Sequence, residues 1–298
     1  MRYVSTGCET LDRMMGGGLL SGAVNLVYGD PGAGKTTLIM QTILSTMLTE
    51  EDGCFYYLDT EKGYLQERLE VMAQAFGLTP ESVNKRVKSY RSTSLSDQHK
   101  KIIHTWEEDI KASGSPPLLF CVDSFVNHYH KDLLASGQSF LAAKARELQG
   151  RLAYQAGKLL DLADRYDAPA ILVSWTKSAA GRAFQERARK KMWESGELVD
   201  VELGLGAKRY DVVGGSHLEY VSKTINRLMI LGDDRRVAIL EKHIARPVPK
   251  LVLLEMSDRG LEPSDDKVHE LDAYYQRLIE EESPDRKTKR IPSRRESE

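Results

Sequence analysis

Residues 28–38 read YGDPGAGKTTL, and this short stretch decides the fold. It fits the spacing G-x-x-x-x-G-K-[ST], whose fixed positions are Gly29, Gly34, Lys35 and Thr36. Glycines in such a loop allow successive backbone N–H groups to point inward and surround an anion. The pattern therefore predicts a loop that binds the phosphates of a nucleotide. The lysine ammonium is expected to reach the β- and γ-phosphates, and the threonine hydroxyl to ligate Mg²⁺.

The sequence on either side of the loop supplies the setting that this chemistry needs. Residues 23–28, AVNLVY, have the apolar character of a short buried strand, and residues 35–48 have that of a helix. The positive end of that helix faces the same phosphates. We therefore predict that ATP is bound by the whole loop, which comprises Gly29, Asp30, Pro31, Gly32, Ala33, Gly34, Lys35, Thr36 and Thr37.

Composition favours a globular protein with no membrane partner. The chain has 298 residues, a formal net charge of -2 and no apolar run long enough to span a bilayer. Its N-terminus lacks the apolar core of a signal peptide, so we expect a cytoplasmic location. The three cysteines, Cys8, Cys54 and Cys121, lack the spacing of metal ligands and are predicted to be buried, reduced thiols.

The order of the predicted elements indicates one α/β domain. Strand-like and helix-like segments alternate up to about Trp175, which is typical of a parallel sheet covered by helices on both faces. From Ile225 onward, INRLMILG, RRVAILEKH and KLVLLEMSDRG predict an antiparallel meander at the sheet edge. We assign the domain to residues 1–263, a C-terminal helix to 264–282 and a basic, disordered tail to 283–298.

Two acidic residues that follow predicted strands are candidates for the chemistry of hydrolysis. Asp123 ends the apolar run LLFCVD, where it is placed to hold Mg²⁺ beside Thr36 or to act only as a turn residue. Glu61 follows the strand CFYYLD, and ligands of open α/β sheets gather at the carboxyl ends of strands. From spacing alone, Glu61 either orients the attacking water or is a solvated loop residue.

Several ordered motifs resemble the RecA/RadA recombinase superfamily. Residues 5–38 resemble the opening of its ATPase core, and YYLDTEKGYLQERL resembles its D-T-E segment. The other similar stretches are FCVDS, LLDLADRYDAPAILVSW, GGSHLEYVSKTINRL, RRVAILEKH and MSDRGL. The resemblance covers about Val4 to Pro263. It implies a RecA-like P-loop ATPase core with a mostly parallel central sheet, flanking helices and C-terminal antiparallel strands.

The resemblance also implies roles for individual residues. It makes Glu61 the residue that activates water and Asp123 the metal-binding aspartate. We therefore take Glu61 and Lys35 as catalytic residues, and Thr36 and Asp123 as the ligands of Mg²⁺. Within the superfamily the chain is most similar to archaeal RadB-type recombinase paralogues, since it begins directly at the ATPase core. This implies a role in homologous recombination and DNA repair, beside a main RadA-like recombinase or other repair proteins.

Two departures from the superfamily pattern bear on assembly and coupling. Recombinases usually carry a glutamine after the strand ILVSW that senses the γ-phosphate, whereas Thr176 and Lys177 occupy that region here. This predicts weak or altered coupling between ATP and DNA. No clear F-x-x-A polymerisation segment precedes the core, so we do not expect the chain to form filaments by itself, although the sequence leaves the oligomeric state open.

The resemblance maps two DNA loops onto about Tyr129–Gln138 and the stretch after Thr176. The second stretch interleaves cations with Phe184 and Trp193, and single strands are held by cationic grooves with aromatic platforms. We predict single-stranded DNA contacts from Arg182, Arg187, Arg189, Lys190 and Lys191. The alternative is a helix with a solvated charged face. The basic tail either adds a salt-sensitive grip on DNA or only solubilises the chain end.

Three functions therefore remain open at the level of sequence. The first is a DNA-modulated ATPase of the recombinase class with weak hydrolysis. The second is a KaiC-like signalling ATPase, which has nearly the same opening but favours paired acidic residues where this chain has Glu61 and Lys62. The third is a nucleotide-gated scaffold with little hydrolysis, which the missing glutamine at Thr176 favours.

Overall fold

The computed structural model describes residues 1–63, 66–135, 141–176 and 212–270. The chain divides into two units, and the larger one, Met1–Lys177 with Tyr210–Val268, contains nearly all of the described residues. The smaller unit, Ser178–Arg209 with His269–Glu298, contains only one described element, the two-residue strand His269–Glu270.

Strands of the larger unit form a small sheet and a large one. The strands are β1 (Tyr3–Val4), β2 (Leu19–Leu20), β3 (Val24–Gly29), β4 (Cys54–Asp59), β5 (Val87–Arg91), β6 (Pro117–Asp123), β7 (Ala170–Ser174), β8 (Thr224–Ile230), β9 (Arg235–His243), β10 (Lys250–Ser257) and β11 (Gly260–Pro263). Strands β1 and β2 pair with each other. The others follow the order β11-β10-β9-β8-β3-β7-β6-β4-β5 in the main sheet.

The direction of the strands divides the main sheet into two parts. Strands β8, β3, β7, β6, β4 and β5 run parallel to their neighbours in that series. Strands β9, β10 and β11 continue from β8 as antiparallel neighbours. The predicted fold class, a mostly parallel sheet with C-terminal antiparallel strands, is therefore confirmed. The meander is joined to the parallel part because β8 pairs with β3 rather than standing apart from it.

Helices cover both faces of this sheet. They are α1 (Glu9–Met15), α2 (Lys35–Thr49), α3 (Gln66–Ala75), α4 (Pro80–Arg86), α5 (Leu95–Lys100), α6 (Trp106–Ser113), α7 (Asn127–Leu134), α8 (Leu141–Tyr166) and α9 (Ser216–Val221). A π-helical turn, Lys101–Thr105, joins α5 to α6. Within the described ranges, no helix is long and apolar enough to cross a membrane.

The central strands are buried because each face of the sheet carries its own core. Along β4, Tyr57 packs into the core that includes α2 and α3, while Tyr56 packs into the core that includes α6 and α8. Both kinds of position are therefore apolar or aromatic, which explains why these strands are continuous apolar runs. The three cysteines, Cys8, Cys54 and Cys121, are buried free thiols, as predicted.

Elements between residues 79 and 113 were not predicted from the sequence. Strand β5 lies at the edge of the sheet. Val87 is buried, while the residues after it alternate between half-buried (Lys88, Tyr90) and exposed (Ser89, Arg91). It therefore lacks the apolar run that marks the central strands. Strand β11 was also missed, because the predicted strand KLVLLEMSDRG contains a turn before Gly260, whose φ of 126° favours glycine.

The described part of the predicted C-terminal helix, residues 264–270, is not helical. Its backbone is held against α1 instead. The Arg13 guanidinium donates to the carbonyl of Asp266 at 2.8 Å, and the Thr10 hydroxyl approaches the carbonyl of Asp265 at 3.5 Å. These contacts use carbonyl groups that a helix would need for its own hydrogen bonds. Residues 271–282 and the predicted tail lie outside the described residues.

Candidate nucleotide-binding site

The phosphate-binding loop connects β3 to α2 in the middle of the parallel part of the sheet. Gly29 ends β3, and a Cβ atom there would lie 2.0 Å from the carbonyl oxygen of Leu228 on β8. Gly34 precedes α2 with a φ of 100°, and its Cβ would lie 2.9 Å from Cε of Met256. Both positions therefore require glycine, one for close approach of two backbones and the other for a left-handed conformation.

The Lys35 side chain lies over its own loop. Its ammonium group donates to the carbonyls of Gly29 and Asp30, at 2.9 and 2.8 Å. Burial lowers the pKa of Lys35, while the nearby carboxylates of Asp123, Glu61 and Asp30 act to raise it. The Lys35 amine nitrogen thus lies against its own loop, with three acidic groups near it.

Thr36 and Asp123 meet at the tips of the strands. The Thr36 hydroxyl donates to Oδ2 of Asp123 at 2.6 Å, and the Tyr57 hydroxyl donates to the same oxygen at 2.7 Å. Burial raises the pKa of Asp123, and these two hydrogen bonds together with Lys35 act to lower it. Hydroxyl and carboxylate oxygens are hard donors of the kind that Mg²⁺ prefers, so this pair fits the predicted metal role.

Mg²⁺ sites in nucleotide-binding proteins commonly use only one or two protein ligands, together with phosphates and water. Within the described ranges, no group of three or more His, Cys, Asp or Glu side chains is placed to hold a metal ion. The pairing of one hydroxyl with one carboxylate agrees with a Mg²⁺ site that phosphates and water complete.

Glu61 lies two residues beyond β4, at the same end of the sheet. Its Oε1 accepts a hydrogen bond from the indole Nε1 of Trp175, which follows β7, at 2.7 Å. Burial raises the pKa of Glu61, and the charge of Asp123 adds to this effect, while the Trp175 hydrogen bond and Lys35 lower it. The structure thus brings Lys35, Thr36, Asp123 and Glu61 together at the carboxyl ends of the parallel strands.

Known proteins are similar to this chain in sequence and in fold. A family model described as Rad51 matches residues 1–197. The chain belongs to the Rad51 family.

Relatives within and around the Rad51 family support a RadB-type member. "DNA repair and recombination protein RadB" of Thermococcus gammatolerans is 29% identical over 265 residues, which cover 88% of this chain and 100% of the relative. RadB of Thermococcus kodakarensis is 29% identical over 261 residues, with 87% and 98% covered. RadA of Metallosphaera sedula is 30% identical over 178 residues, but these cover only 58% of this chain and 52% of RadA.

A solved structure supports the same conclusion. The crystal structure of the RadB recombinase matches with a TM-score of 0.62 and 27% identity, and the match covers 88% of this chain and 100% of that one. The resemblance to the RecA/RadA superfamily and to RadB-type paralogues, inferred from motifs, is therefore confirmed.

Other residues of this Rad51-family site were not predicted from the sequence. Tyr57 binds Asp123, but in the sequence it is one more aromatic residue of an apolar strand. The Thr176 hydroxyl donates to Oδ1 of Asp30 at 2.5 Å and so ties the tip of β7 to the phosphate-binding loop. The Arg68 guanidinium donates to the Thr37 hydroxyl at 2.5 Å. It also lines a cavity of about 540 Å³ on the side of α3 and β10.

The two predicted DNA loops are only partly described. Tyr129 to Leu134 belong to helix α7, so the first half of the predicted loop Tyr129–Gln138 is helical rather than a loop. Residues 136–140 lie outside the described residues. The predicted DNA-binding residues Arg182, Arg187, Arg189, Lys190 and Lys191 also lie outside them. The described ends of that second stretch meet, because Thr176 and Val212 form an isolated antiparallel bridge.

Proposed function

We propose that this Rad51-family protein binds ATP with Mg²⁺, hydrolyses it weakly, and binds single-stranded DNA in homologous recombination and DNA repair. The observation that carries the proposal is the arrangement around the phosphate-binding loop. Thr36 is hydrogen-bonded to Asp123, and the carboxylates of Asp123 and Glu61 both lie close enough to the Lys35 ammonium to affect its pKa. Phosphoryl transfer depends mostly on positioning and charge stabilisation, and this set of groups offers both.

Each group has a role that its environment supports. Lys35 exchanges its bonds to the loop carbonyls for bonds to the β- and γ-phosphates. Thr36 and Asp123 would hold Mg²⁺, which would neutralise charge on the phosphates. Tyr57 fixes the orientation of the Asp123 carboxylate by its hydrogen bond to Oδ2. Glu61 accepts a hydrogen bond from the attacking water and orients it toward the γ-phosphate.

Two variants test these assignments, and a third serves as their control. We expect Lys35→Ala to abolish ATP binding, because the ammonium group at the centre of the loop is lost. Glu61→Gln should bind ATP within about threefold of the unmodified protein and lose turnover by about 10²-fold, the size of a typical general-base effect. Glu67→Gln, which changes an exposed carboxylate at the start of α3, should alter neither property.

Fluorescent ATP-analogue titration measures binding, and phosphate release under single-turnover conditions measures hydrolysis. Unchanged turnover in Glu61→Gln would refute the role of Glu61. No turnover in the unmodified protein, with or without single-stranded DNA, would instead favour the nucleotide-gated scaffold. The signalling ATPase would be favoured by phosphorylation of the protein's own Ser or Thr during incubation with ATP.

The proposed DNA contacts rest on the loops mapped from the superfamily, and the proposed partner rests on the names of the RadB and RadA relatives. We propose that Arg182, Arg187, Arg189, Lys190 and Lys191 contact single-stranded DNA, and that the protein acts beside a RadA-like main recombinase. The extent of the core, residues 1–263, and of the basic tail, residues 283–298, remains a proposal, as does a helix in the part of 264–282 that lies beyond the described residues. Filter binding of single-stranded DNA at several salt concentrations tests the proposed DNA contacts, because affinity that comes from phosphate contacts depends steeply on salt.

A further inference from the structure

The indole of Trp175 makes a single, directed contact with the acidic group that is proposed to orient water. Indole Nε1 carries only a donor, and here it donates to Oε1 of Glu61 at 2.7 Å. The two residues are 114 positions apart in the chain. Glu61 lies beyond the tip of β4, and Trp175 lies beyond the tip of β7. Because β6 lies between these strands, the contact spans the tip of the strand that carries Asp123.

This span brings Glu61 toward the phosphate-binding loop. The loop follows β3, and two strands, β7 and β6, separate β3 from β4. Neighbouring strands are about 4.8 Å apart, so the tips of β3 and β4 are about 14 Å from each other. Trp175 follows β7, the neighbour of β3, so its hydrogen bond joins the Glu61 carboxylate to the part of the sheet next to the loop. Glu61 also lies close enough to Lys35 to affect the pKa of that lysine.

Trp175 itself is held by described residues on two sides. Its backbone carbonyl accepts a hydrogen bond from the amide of Val213 at 2.9 Å. Its ring meets the ring of His130 edge-on, with centroids 5.4 Å apart and an interplanar angle of 80°. His130 belongs to helix α7, which also carries Asn127, whose amide donates to the carbonyl of Thr60 beside Glu61. Helix α7 therefore contacts both the donor, Trp175, and the residue that precedes the acceptor, Glu61.

We propose that Trp175 is a positioning residue that holds Glu61 in the orientation needed for ATP hydrolysis, with His130 fixing the plane of the indole. The inference rests on the proposed function, since it requires that Glu61 orient water. In this proposal Trp175 acts through Glu61 and is given no role in binding phosphate or metal. Its loss should therefore reduce the rate of the chemical step and leave the binding of ATP unchanged.

Trp175→Phe removes the N–H donor and keeps an aromatic ring. We expect kcat to fall about 3- to 10-fold, the range for losing one ordinary hydrogen bond, with KM for ATP unchanged. His130→Leu keeps the donor and should give a smaller fall with the same kcat-only signature. Tyr220→Phe, which changes a highly exposed aromatic residue on α9, is the control and should behave like the unmodified protein.

A double-mutant cycle separates positioning from a general structural effect. Glu61→Asp shortens the acid by one methylene, so its carboxylate no longer reaches the indole, and Trp175→Phe should then cause no further loss. An equal loss in both backgrounds would overturn the inference, as would a rise in KM with kcat unchanged. Thermal unfolding of every variant establishes whether it is folded. If Trp175→Phe does not fold, the same comparison is made with His130→Leu.

The outcomes also distinguish this inference from the proposed function. If Glu61→Gln turns over ATP as fast as the unmodified protein, the proposed function of Glu61 is wrong and the role of Trp175 is lost with it. If Glu61→Gln is inactive while Trp175→Phe and His130→Leu keep full turnover, the role of Glu61 stands and the inference about Trp175 alone is overturned.

Discussion

Gly29→Ala tests whether the phosphate-binding loop begins where two strand backbones are too close for any side chain. Gly29 is in register with Leu228 of β8, has a φ of 156°, and would place a Cβ atom 2.0 Å from the Leu228 carbonyl oxygen. Carbon–oxygen contacts between strands are normally about 3.3 Å or longer, so β3 and β8 would have to separate by about 1.3 Å. The obstacle is backbone, which cannot rotate away as a side chain would.

The cost of this substitution has two parts. Overpacking of this kind costs about 1–3 kcal/mol, and a non-glycine residue in a sparsely populated backbone region costs about 1–3 kcal/mol more. We therefore expect Gly29→Ala to lower the free energy of unfolding by about 2–6 kcal/mol, a large share of the roughly 5–15 kcal/mol of a typical domain. ATP binding should weaken as well, because the loop begins at this residue.

Gly150→Ala is the matched control. Gly150 lies within helix α8, where a Cβ atom would meet nothing within 4 Å. Alanine is favoured over glycine in a helix by about 0.5–1 kcal/mol, so this variant should be slightly more stable than the unmodified protein. Urea unfolding without nucleotide or metal measures both variants at a common m-value. The reasoning fails if Gly29→Ala lies within about 1 kcal/mol of the unmodified protein, since the two costs together amount to at least about 2 kcal/mol.

Three further predictions concern charge and hydrogen bonding. Burial raises the pKa of Asp123 in the folded state. Between the ordinary aspartate pKa and this raised pKa, the folded protein therefore binds more protons than the unfolded chain. The free energy of unfolding consequently falls as the pH rises through that window. Asp123→Asn lacks this titration and can still accept from Thr36 and Tyr57, which donate to one oxygen. As the pH is lowered from about 8 to the ordinary aspartate pKa, its metal-free form should therefore gain less stability than the unmodified protein by urea unfolding, and an equal gain would contradict this. Thr176→Val removes the hydroxyl that donates to Asp30 and should cost about 1 kcal/mol of unfolding free energy with a few-fold weaker ATP binding; unchanged ATP affinity would show that this bond does not shape the loop. Joint replacement of Arg187, Arg189, Lys190 and Lys191 by alanine should weaken single-stranded DNA binding for all sequences and reduce the salt slope by about 0.7 per lost phosphate contact, and an unchanged slope would place the DNA elsewhere.

Much of the fold followed from patterns that span only a few neighbouring residues. The glycine spacing, the apolar runs around it and the alternation of strands with helices predicted a mostly parallel α/β sheet. The sequence was less informative where a strand is not buried on both faces. Edge strand β5 was missed because its residues alternate in burial, and the region after Pro263 was predicted to be helical although its described residues are held against α1 by Arg13 and Thr10.

The candidate site divides in the same way. Lys35, Thr36 and Asp123 could be named from the sequence, because each one follows a strand or loop whose pattern is local. Tyr57 and Trp175 could not, because their roles depend on which strands are neighbours. Tyr57 reaches Asp123 because β4 pairs with β6, and Trp175 reaches Glu61 because β7 lies on the other side of β6.

By itself, the sequence determined that this chain has a glycine-rich loop between a buried strand and a helix, and which acidic residues lie at or just beyond the ends of two apolar strands. Only the tertiary structure decided the partners of those acidic residues: a tyrosine hydroxyl on Asp123, an indole N–H on Glu61 and a threonine hydroxyl on Asp30. The physical reason is how far apart along the chain the interacting residues lie. Backbone conformation and burial follow from residues a few positions apart, whereas the order of strands in a sheet joins residues that are up to 146 positions apart in these bonds.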